Sequence, residues 1–251
     1  MTSLTFLDMN GVNLSLASSN LFQVLGMLPS LSRLSLSDCS LKNSHLQSHS
    51  HPLNFTFLEN IQHFDISWNS FHGPIPIFLQ NMTSLTFLDM SRLPSCNHPL
   101  NFTLLSNIQY LDLSQNFFQG PIPIFLRNMT FLMFLYLNYN QLSGSIPNSI
   151  GQLSKLEIID LSDNQLNGSI SYCIEQLSKL ESIDLSGNQL NGSILDSIEQ
   201  LSKLECIYLS GNQLTSNIPD TIGQLSELER ISVSHNQLSA EFQIALDNFL
   251  S

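Results

Sequence analysis

Apolar and polar residues alternate along this chain in a short motif that ends in an asparagine. The clearest copy covers residues 156–170, and it returns almost unchanged over residues 180–194, which begin 24 positions later. Within the second copy, Ile183 and Leu185 are predicted to point inward and Asp184 and Ser186 outward, as in a strand with one buried face. One such strand cannot bury its apolar face alone, so the motif predicts stacked copies that share a parallel sheet.

Ten copies of the motif can be placed on the 251 residues, and the later ones are spaced by 23 or 24 residues. A fixed period of this length with this lettering is typical of leucine-rich repeats. It predicts one domain over residues 1–251, an α/β repeat solenoid: a curved right-handed superhelix with a parallel β-sheet on its concave face and short 3₁₀ or helical turns on its convex face. The predicted strands open at Leu4, Leu31, Ile61, Leu85, Ile108, Leu132, Leu156, Leu180, Leu204 and Leu228.

The asparagine of the motif is predicted to be structural. Its amide should bond backbone groups of its own and neighbouring coils, which would otherwise be buried without a partner. Cys39 stands at this position in the second copy, where cysteine is a common substitute, so we expect it to be structural as well. The fourth copy has Leu93 there, and its coil is expected to be the least well satisfied. The predicted ladder consists of Asn69, Asn116, Asn140, Asn164, Asn188, Asn212 and Asn236.

Charge and composition narrow the function classes. The net charge is −12, with 8 Lys plus Arg against 20 Asp plus Glu, which argues against nucleic acid and anionic membranes as partners. No apolar run approaches the ~20 residues of a membrane helix, so no membrane contact is expected. The four cysteines fit neither a zinc site nor a disulfide scaffold, and no cofactor is predicted. His45, His49 and His51 cluster in one loop, which fits either a metal site or a polar surface loop.

Residues 73–76, 120–123 and 144–147 carry Gly-x-Ile-Pro after the asparagine turn, and this form of the repeat resembles the plant extracellular leucine-rich-repeat class. Residues 7–15, 27–31 and 36–39 are similar to ectodomains of plant receptor-like proteins, including those that recognise fungal xylanase. The resemblance implies a receptor in defence or development at the plasma membrane or in the apoplast. Its implied partners are a protein, peptide or glycan ligand, such as a microbial elicitor or a cell-wall enzyme, and a co-receptor kinase.

The chain departs from this family at both ends. It lacks the signal peptide, the cysteine caps and the transmembrane helix of the family, so we expect a chain truncated at both ends, whose location stays open. Candidate N-glycosylation sequons fit an extracellular origin. They begin at Asn13, Asn54, Asn81, Asn101, Asn128, Asn167 and Asn191.

The outward strand positions are the candidate binding surface. Exposed aromatic residues on a rigid sheet are common binding hot spots, and a row of aspartates beside them would favour a basic ligand. The structural alternative is that Leu-Asp-Leu-Ser is simply the repeat's usual lettering and that the aromatic residues shield neighbouring strands. The candidate residues are Phe87, Tyr110, Phe134 and Tyr136, with Asp65, Asp89 and Asp112 beside them and Trp68 and Tyr139 at strand exits.

These features favour a non-enzymatic recognition module. Open, shallow strands without a Ser-His pair or a Gly-rich phosphate loop do not support catalysis. One alternative is an enzyme inhibitor of the polygalacturonase-inhibitor kind, which has a similar repeat and a short length but carries cysteine caps. Another is a truncated gene product without activity of its own.

Overall fold

The computed structural model describes residues 3–17, 21–46, 56–72, 79, 82–93, 105–194 and 196–239. The chain forms two compact units, residues 1–119 (unit 1) and residues 120–251 (unit 2). Within the described ranges, no helix has the length and apolar character that crossing a bilayer requires.

Unit 1 is a row of parallel strands, and short helices lie between the first three of them. Each strand begins two residues after its predicted opening, and each pairs in parallel with the next one along the chain. The strands are β1 (Phe6–Asp8), β2 (Arg33–Ser35), β3 (His63–Asp65), β4 (Phe87–Asp89) and β5 (Tyr110–Asp112). The helices are α1 (Leu21–Leu25) and the 3₁₀ helices Asn43–Leu46 and Thr56–Asn60. From β2 to β5 the central strand residues Leu34, Phe64, Leu88 and Leu111 are fully buried, so the residues on either side of them face outward.

The strands from Gln119 onward alternate between two positions in each coil. Those of the main sheet of unit 2 continue the predicted spacing, and strands of a second set follow Asn116, Asn140, Asn164, Asn188 and Asn212. In chain order they are β6 (Gln119–Gly120), β7 (Phe134–Tyr136), β8 (Gln141–Gly144), β9 (Ile158–Asp160), β10 (Gln165–Ser169), β11 (Ser182–Asp184), β12 (Gln189–Gly192), β13 (Cys206–Tyr208), β14 (Gln213–Leu214) and β15 (Arg230–Ser232). The second set, in which β8, β10, β12 and β14 pair in parallel, was not predicted from the sequence.

Short 3₁₀ helices close the coils of unit 2 on the side away from the main sheet. They cover Ile124–Asn128, Asn148–Gln152, Tyr172–Gln176, Asp196–Gln200 and Asp220–Gln224. Pro147 precedes one of them in extended backbone, and Ile146 before it is 3 % exposed, as the Gly-x-Ile-Pro pattern predicts. Residues 73–76, a further predicted copy of this pattern, lie outside the described residues. The predicted repeat solenoid of parallel strands and short 3₁₀ turns is confirmed in each unit, whereas the single domain over residues 1–251 stays a prediction.

The motif asparagines bond backbone groups of their own coil and, in most cases, of a neighbouring coil, and all of them except the partly exposed Asn236 are buried. The Nδ2 of Asn188 donates to the carbonyls of Leu161 (3.0 Å), Leu185 (3.2 Å) and Ser186 (3.1 Å), and its Oδ1 accepts from the N–H of Leu166 (2.9 Å). The same arrangement recurs at Asn69, Asn116, Asn164, Asn212 and Asn236, and Asn140 donates to carbonyls of its own coil. Each of these side chains therefore forms hydrogen bonds with several backbone groups that would otherwise be buried without a partner.

Cys39 has the role that its motif position predicts. It is fully buried, its Sγ lies 3.1 Å from the carbonyl oxygen of Met9, and its N–H donates to the Oδ1 of Asn69. Burial raises the pKa of the Cys39 thiol, which disfavours the reactive thiolate.

The residue before the motif asparagine has left-handed backbone in every coil. Gly11, Gly187 and Gly211 adopt it at φ between 63° and 74°, which glycine does at little steric cost. Elsewhere a side chain is held in this conformation, which costs about 1–2 kcal/mol for a residue with a Cβ. These residues are Asp38, Trp68, Arg92, Gln115, Tyr139, Asp163 and His235.

Candidate functional site

Three rings from neighbouring strands of unit 1 form a stack on its outward surface. His63, Phe87 and Tyr110 occupy the same position on β3, β4 and β5 and are paired in register. The ring centroids of His63 and Phe87 are 3.9 Å apart with an angle of 14° between the rings. Those of Phe87 and Tyr110 are 4.3 Å apart at 10°. We call these three residues the aromatic ladder; all of them are partly exposed, so the ladder presents a continuous band to solvent.

A row of carboxylates runs beside the aromatic ladder, two residues further along the same strands. Asp65, Asp89 and Asp112 are paired in register and partly exposed, and we call them the acidic row. One oxygen of each accepts a hydrogen bond from the backbone two residues on, at 3.0 Å from Ser67, 2.8 Å from Ser91 and 2.9 Å from Ser114. These bonds fix the carboxylates in place.

Burial favours the neutral forms of three side chains on this face, Asp89, Asp112 and His63. It raises the pKa of Asp89 to about 6, and the neighbouring charges of Asp112 and Asp65 act in the same direction. Burial also raises the pKa of Asp112, although hydrogen bonds from Ser114 and from the Tyr110 hydroxyl oppose the shift. Burial lowers the pKa of His63, which favours an uncharged imidazole in the aromatic ladder.

A third row of side chains lies where the strands end. Trp68, which is 53 % exposed, has left-handed backbone with φ of 56°, and so does Arg92 one coil later. The Cζ of Arg92 lies 3.8 Å from the centroid of the Trp68 ring, which is a cation–π contact. The strand-exit row therefore already holds one guanidinium over an aromatic ring.

The remaining sequence-predicted aromatic residues lie in unit 2. Phe134 is paired in register with Ile158, and Tyr136 with Asp160. Tyr139 is 56 % exposed, and its hydrogen bond with Asp163 raises the pKa of the phenol. Within unit 1 the structure brings together Phe87, Tyr110, the acidic row and Trp68. That these residues bind a ligand stays a prediction.

His63 and Arg92 were not among the residues selected from the sequence. The signal for His63 was available, since it stands at the same motif position as Phe87 and Tyr110. It was not selected because histidine is less apolar than its neighbours and because the repeat pattern does not show which neighbouring side chains stack. Arg92 stands directly before the motif asparagine position, and this placement was the available signal. The backbone there is left-handed, and the side chain of Arg92 lies at the strand end.

Two further sets of predicted residues can be placed. Of the sequons, Asn13, Asn128, Asn167 and Asn191 are exposed, whereas Asn54, Asn81 and Asn101 lie outside the described residues.

In the histidine loop, His45 is 4 % exposed and its Nδ1 accepts from the N–H of Lys42 at 2.9 Å. His49 and His51 lie outside the described residues.

The second sheet of unit 2 differs from the strand face in its chemistry. Residues 141–145, 165–169, 189–193 and 213–216 contain no charged side chain, and their outward positions are glutamine, asparagine, serine and threonine. Gly144, Gly168 and Gly192 have φ between 77° and 81°, and in the last two a Cβ would approach the side chain of the preceding coil to 3.7 and 3.5 Å. Such distances are ordinary contact, so glycine is favoured here by its positive φ and not by a lack of space, and the surface is regular and uncharged.

Models of one family match several stretches of the chain. Both models are described as leucine-rich repeat; one matches residues 132–190, and the other matches residues 60–82, 107–129 and 203–225. No curated protein sequence matches the chain.

Solved structures with similar folds include two receptor ectodomains from Arabidopsis. The ectodomain of the membrane receptor kinase GASSHO1/SCHENGEN3, in complex with Casparian strip integrity factor 2, is 37 % identical with a TM-score of 0.77 over 85 % of this chain and 25 % of that one. The receptor kinase HAESA, in complex with the peptide hormone IDA and the co-receptor SERK1, is 30 % identical with a TM-score of 0.79 over 94 % and 39 %. The chain thus spans less than half the length of either structure.

A third similar structure binds a different kind of target. It is a plant ice-binding protein, which is 25 % identical with a TM-score of 0.62 over 74 % of this chain and 67 % of that one. The same architecture therefore carries unrelated binding functions, which must be argued from surfaces rather than from the fold.

Proposed function

Because this chain belongs to the leucine-rich-repeat family, of the plant extracellular type, we propose that it is a non-enzymatic recognition module that binds a peptide or protein on the strand face of unit 1. The observation that carries the proposal is the aromatic ladder of His63, Phe87 and Tyr110. Its rings are already ordered by stacking, so a ligand that covers them gains apolar contact at little cost in side-chain entropy.

The similar receptors support this proposal. HAESA was solved with a peptide hormone and a co-receptor, so peptides and co-receptor kinases are our proposed partners for this chain as well. We also propose a place outside the cell for it, since the exposed sequons at Asn13, Asn128, Asn167 and Asn191 fit that compartment. A role in defence, with a microbial elicitor as ligand, is the more specific form of the same proposal.

A displayed peptide library tests the proposed surface. Selection on the intact chain should yield peptides whose affinity falls by about tenfold or more when Phe87 is replaced by alanine, because the central ring of the aromatic ladder is lost. Ile158→Ala is the matched control, since Ile158 holds the same outward position on β9 of unit 2. A selection without binders, or binders that are indifferent to Phe87→Ala, would refute the proposal.

A second candidate function is binding to ice through the second sheet of unit 2. The specific observation in its favour is the uncharged, regularly spaced row of polar side chains on β8, β10, β12 and β14, in a fold shared with a plant ice-binding protein. Parallel strands repeat every ~4.8 Å, so such a surface offers hydroxyl and amide groups in a lattice-like order.

Ice recrystallisation assays separate this second candidate from the first. The protein made without glycans should slow the growth of ice crystals. The double substitution Asn167→Lys with Asn191→Lys should abolish this effect because it adds charge to the second sheet of unit 2. Ser182→Lys on β11 adds the same charge to the main sheet and should leave the effect intact. If unglycosylated wild-type chain has no effect on crystal growth, this candidate fails, whatever the peptide selection shows.

A further inference from the structure

Unit 2 carries an open groove at the ends of β8, β10 and β12, where the coils lead into the 3₁₀ helices. The groove has a volume of about 540 Å³, which is within the usual range of small-molecule sites. All the residues that line it are uncharged. The polar and aromatic ones are Ser145, Asn148, Ser169, Ser171, Tyr172 and Ser193.

The groove offers hydrogen-bonding groups that the fold does not use. Ser145, Ser169 and Ser193 hold the same motif position in successive coils, and we call them the serine row. Their side chains are exposed, and their hydroxyls make no hydrogen bond within the part of the chain that the structure describes. The Ser171 hydroxyl donates to the Oδ1 of Asn148 at 2.8 Å, which leaves the Nδ2 of Asn148 without a partner among the described residues. A ligand in the groove therefore meets free hydroxyl groups and a free amide N–H.

Tyr172 places an aromatic ring at this groove. It is the first residue of the 3₁₀ helix Tyr172–Gln176, and its side chain is 62 % exposed. Unlike the rings of the aromatic ladder, its ring has no aromatic contact within the described ranges, so it is open to a ligand. Ile124 holds the same helix position two coils earlier and is equally exposed, so the position explains the exposure but not the ring.

This lining favours a neutral ligand with many hydroxyl groups. A phosphate, a carboxylate or an ammonium group would find no opposite charge in the groove to offset its loss of water. An apolar peptide side chain would find little apolar surface, since Ile146 and Ile170 are nearly buried. A sugar ring matches both parts of the lining, because the C–H groups on its face pack against an aromatic ring while its hydroxyls bond hydroxyl and amide groups.

We propose that this groove binds a short neutral oligosaccharide, with one sugar ring on Tyr172 and its hydroxyls bonded to Asn148 and the serine row. The ring of Tyr172 supplies the apolar contact, and the unpaired polar groups orient the sugar. The site lies in unit 2, so the proposal does not depend on peptide recognition by the strand face of unit 1.

Isothermal titration calorimetry on the whole chain, made without glycans, tests the proposal. The neutral probes are cellotetraose, xylotetraose, mannotetraose and laminaritetraose, and tetragalacturonate is the charged comparison. At least one neutral tetraose should bind. Its affinity should fall by about tenfold or more in Tyr172→Ala, which removes the ring, and by about threefold or more in Asn148→Ala, which removes the amide.

Two further variants control for the ring and for its position. Tyr172→Trp keeps an aromatic ring at the groove and should retain binding to within about threefold. Ile124→Ala removes an equally exposed side chain from the same helix position outside the groove and should leave the affinity unchanged. Circular dichroism melting verifies that each variant folds.

The chain's own glycans are a second source of sugar, because Ser169 and Ser193 belong to the sequons of the exposed Asn167 and Asn191. Glycan-free chain excludes them; if that chain does not fold, secreted chain with Asn167→Gln and Asn191→Gln takes its place. Weaker binding by the glycosylated chain than by the glycan-free chain would support the site and show that its own glycans reach the groove.

Three results would overturn the inference. They are the absence of binding to every neutral tetraose, binding that Tyr172→Ala leaves unchanged, and tighter binding of tetragalacturonate than of any neutral probe. Each of them would leave the proposed peptide recognition by unit 1 standing.

Discussion

At the scale of single residues, Asp89 lies on the proposed binding face, where burial disfavours its charged form. Its pKa is raised to about 6 by burial and by neighbouring carboxylates, against about 3.9 in an unfolded chain. The folded state therefore binds the proton more tightly, and the free energy of unfolding falls as the pH rises from about 4 to about 6. A residue chosen for stability alone would not carry this charge.

Asp89→Asn is predicted to stabilise the protein in a pH-dependent way. Asparagine retains an oxygen that can accept from the N–H of Ser91, but it has no charge to bury. The free energy of unfolding should rise by about 1–3 kcal/mol at pH 7.5 and stay nearly unchanged at pH 4. Urea denaturation at both pH values measures this. Asp8→Asn changes an exposed carboxylate and should show little effect, and an equal gain in both variants would contradict the explanation by burial.

Trp68→Gly is predicted to separate binding from stability. Glycine relieves the left-handed backbone, which is worth about 1–2 kcal/mol, but it makes the unfolded chain more flexible and removes a cation–π contact of about 0.5–1 kcal/mol. The free energy of unfolding should therefore change by less than about 1 kcal/mol, while affinity for a peptide selected on the wild type falls.

Gln115→Gly is the matched substitution, because Gln115 has the same backbone conformation with φ of 55°. Without a cation–π contact to lose, it should stabilise the protein by about 0.5–1 kcal/mol. Thermal melts compare the two variants. A large loss of stability in Trp68→Gly would show that Trp68 serves the fold rather than a ligand.

At the scale of elements, each coil with a complete motif depends on one asparagine amide. Asn188→Ala is predicted to lower the free energy of unfolding by about 2–4 kcal/mol, because three carbonyls and the N–H of Leu166 lose their partner at once. Asn191→Ala changes an exposed asparagine of the same coil and should have an effect within about 0.5 kcal/mol. Denaturant titration of both variants measures the difference, and similar values would remove the special role of the asparagine column.

The motif predicted these strands because the spacing of its apolar residues determines which side chains are buried. A strand such as β11 must place Ile183 and Leu185 inward, so its position follows from the lettering alone. The second sheet was missed, since Gln-Leu-Asn-Gly-Ser is read as a turn until the coils are stacked and its backbone groups meet. The ring stack of His63 was missed for a similar reason: which outward side chains touch depends on register and rotamer, which a repeat pattern does not contain.

At the scale of the whole molecule, the motif asparagine is present in some coils and replaced in others. Unit 2 has an asparagine at the motif position of each described coil, whereas unit 1 has Val12, Cys39 and Leu93 at three of its positions. Where Leu93 replaces the amide, its coil gains a fully buried apolar side chain and loses a donor and an acceptor for its neighbours. The stability of a solenoid is close to a sum over coils and their contacts, so these differences should remain local rather than average out.

Native-state hydrogen exchange of the intact chain is predicted to report this distribution. Amides of residues 156–218 should exchange more slowly than those of residues 82–93, because opening a coil in the regular region breaks the bonds of a complete asparagine column. In Asn188→Ala, protection should fall most in β9, β11 and β13, which contain or adjoin the altered coil. Slower exchange at residues 82–93 than at residues 156–218 would mean that apolar packing around Leu93 outweighs the missing amide, and that the asparagines do not set the stability of the coils.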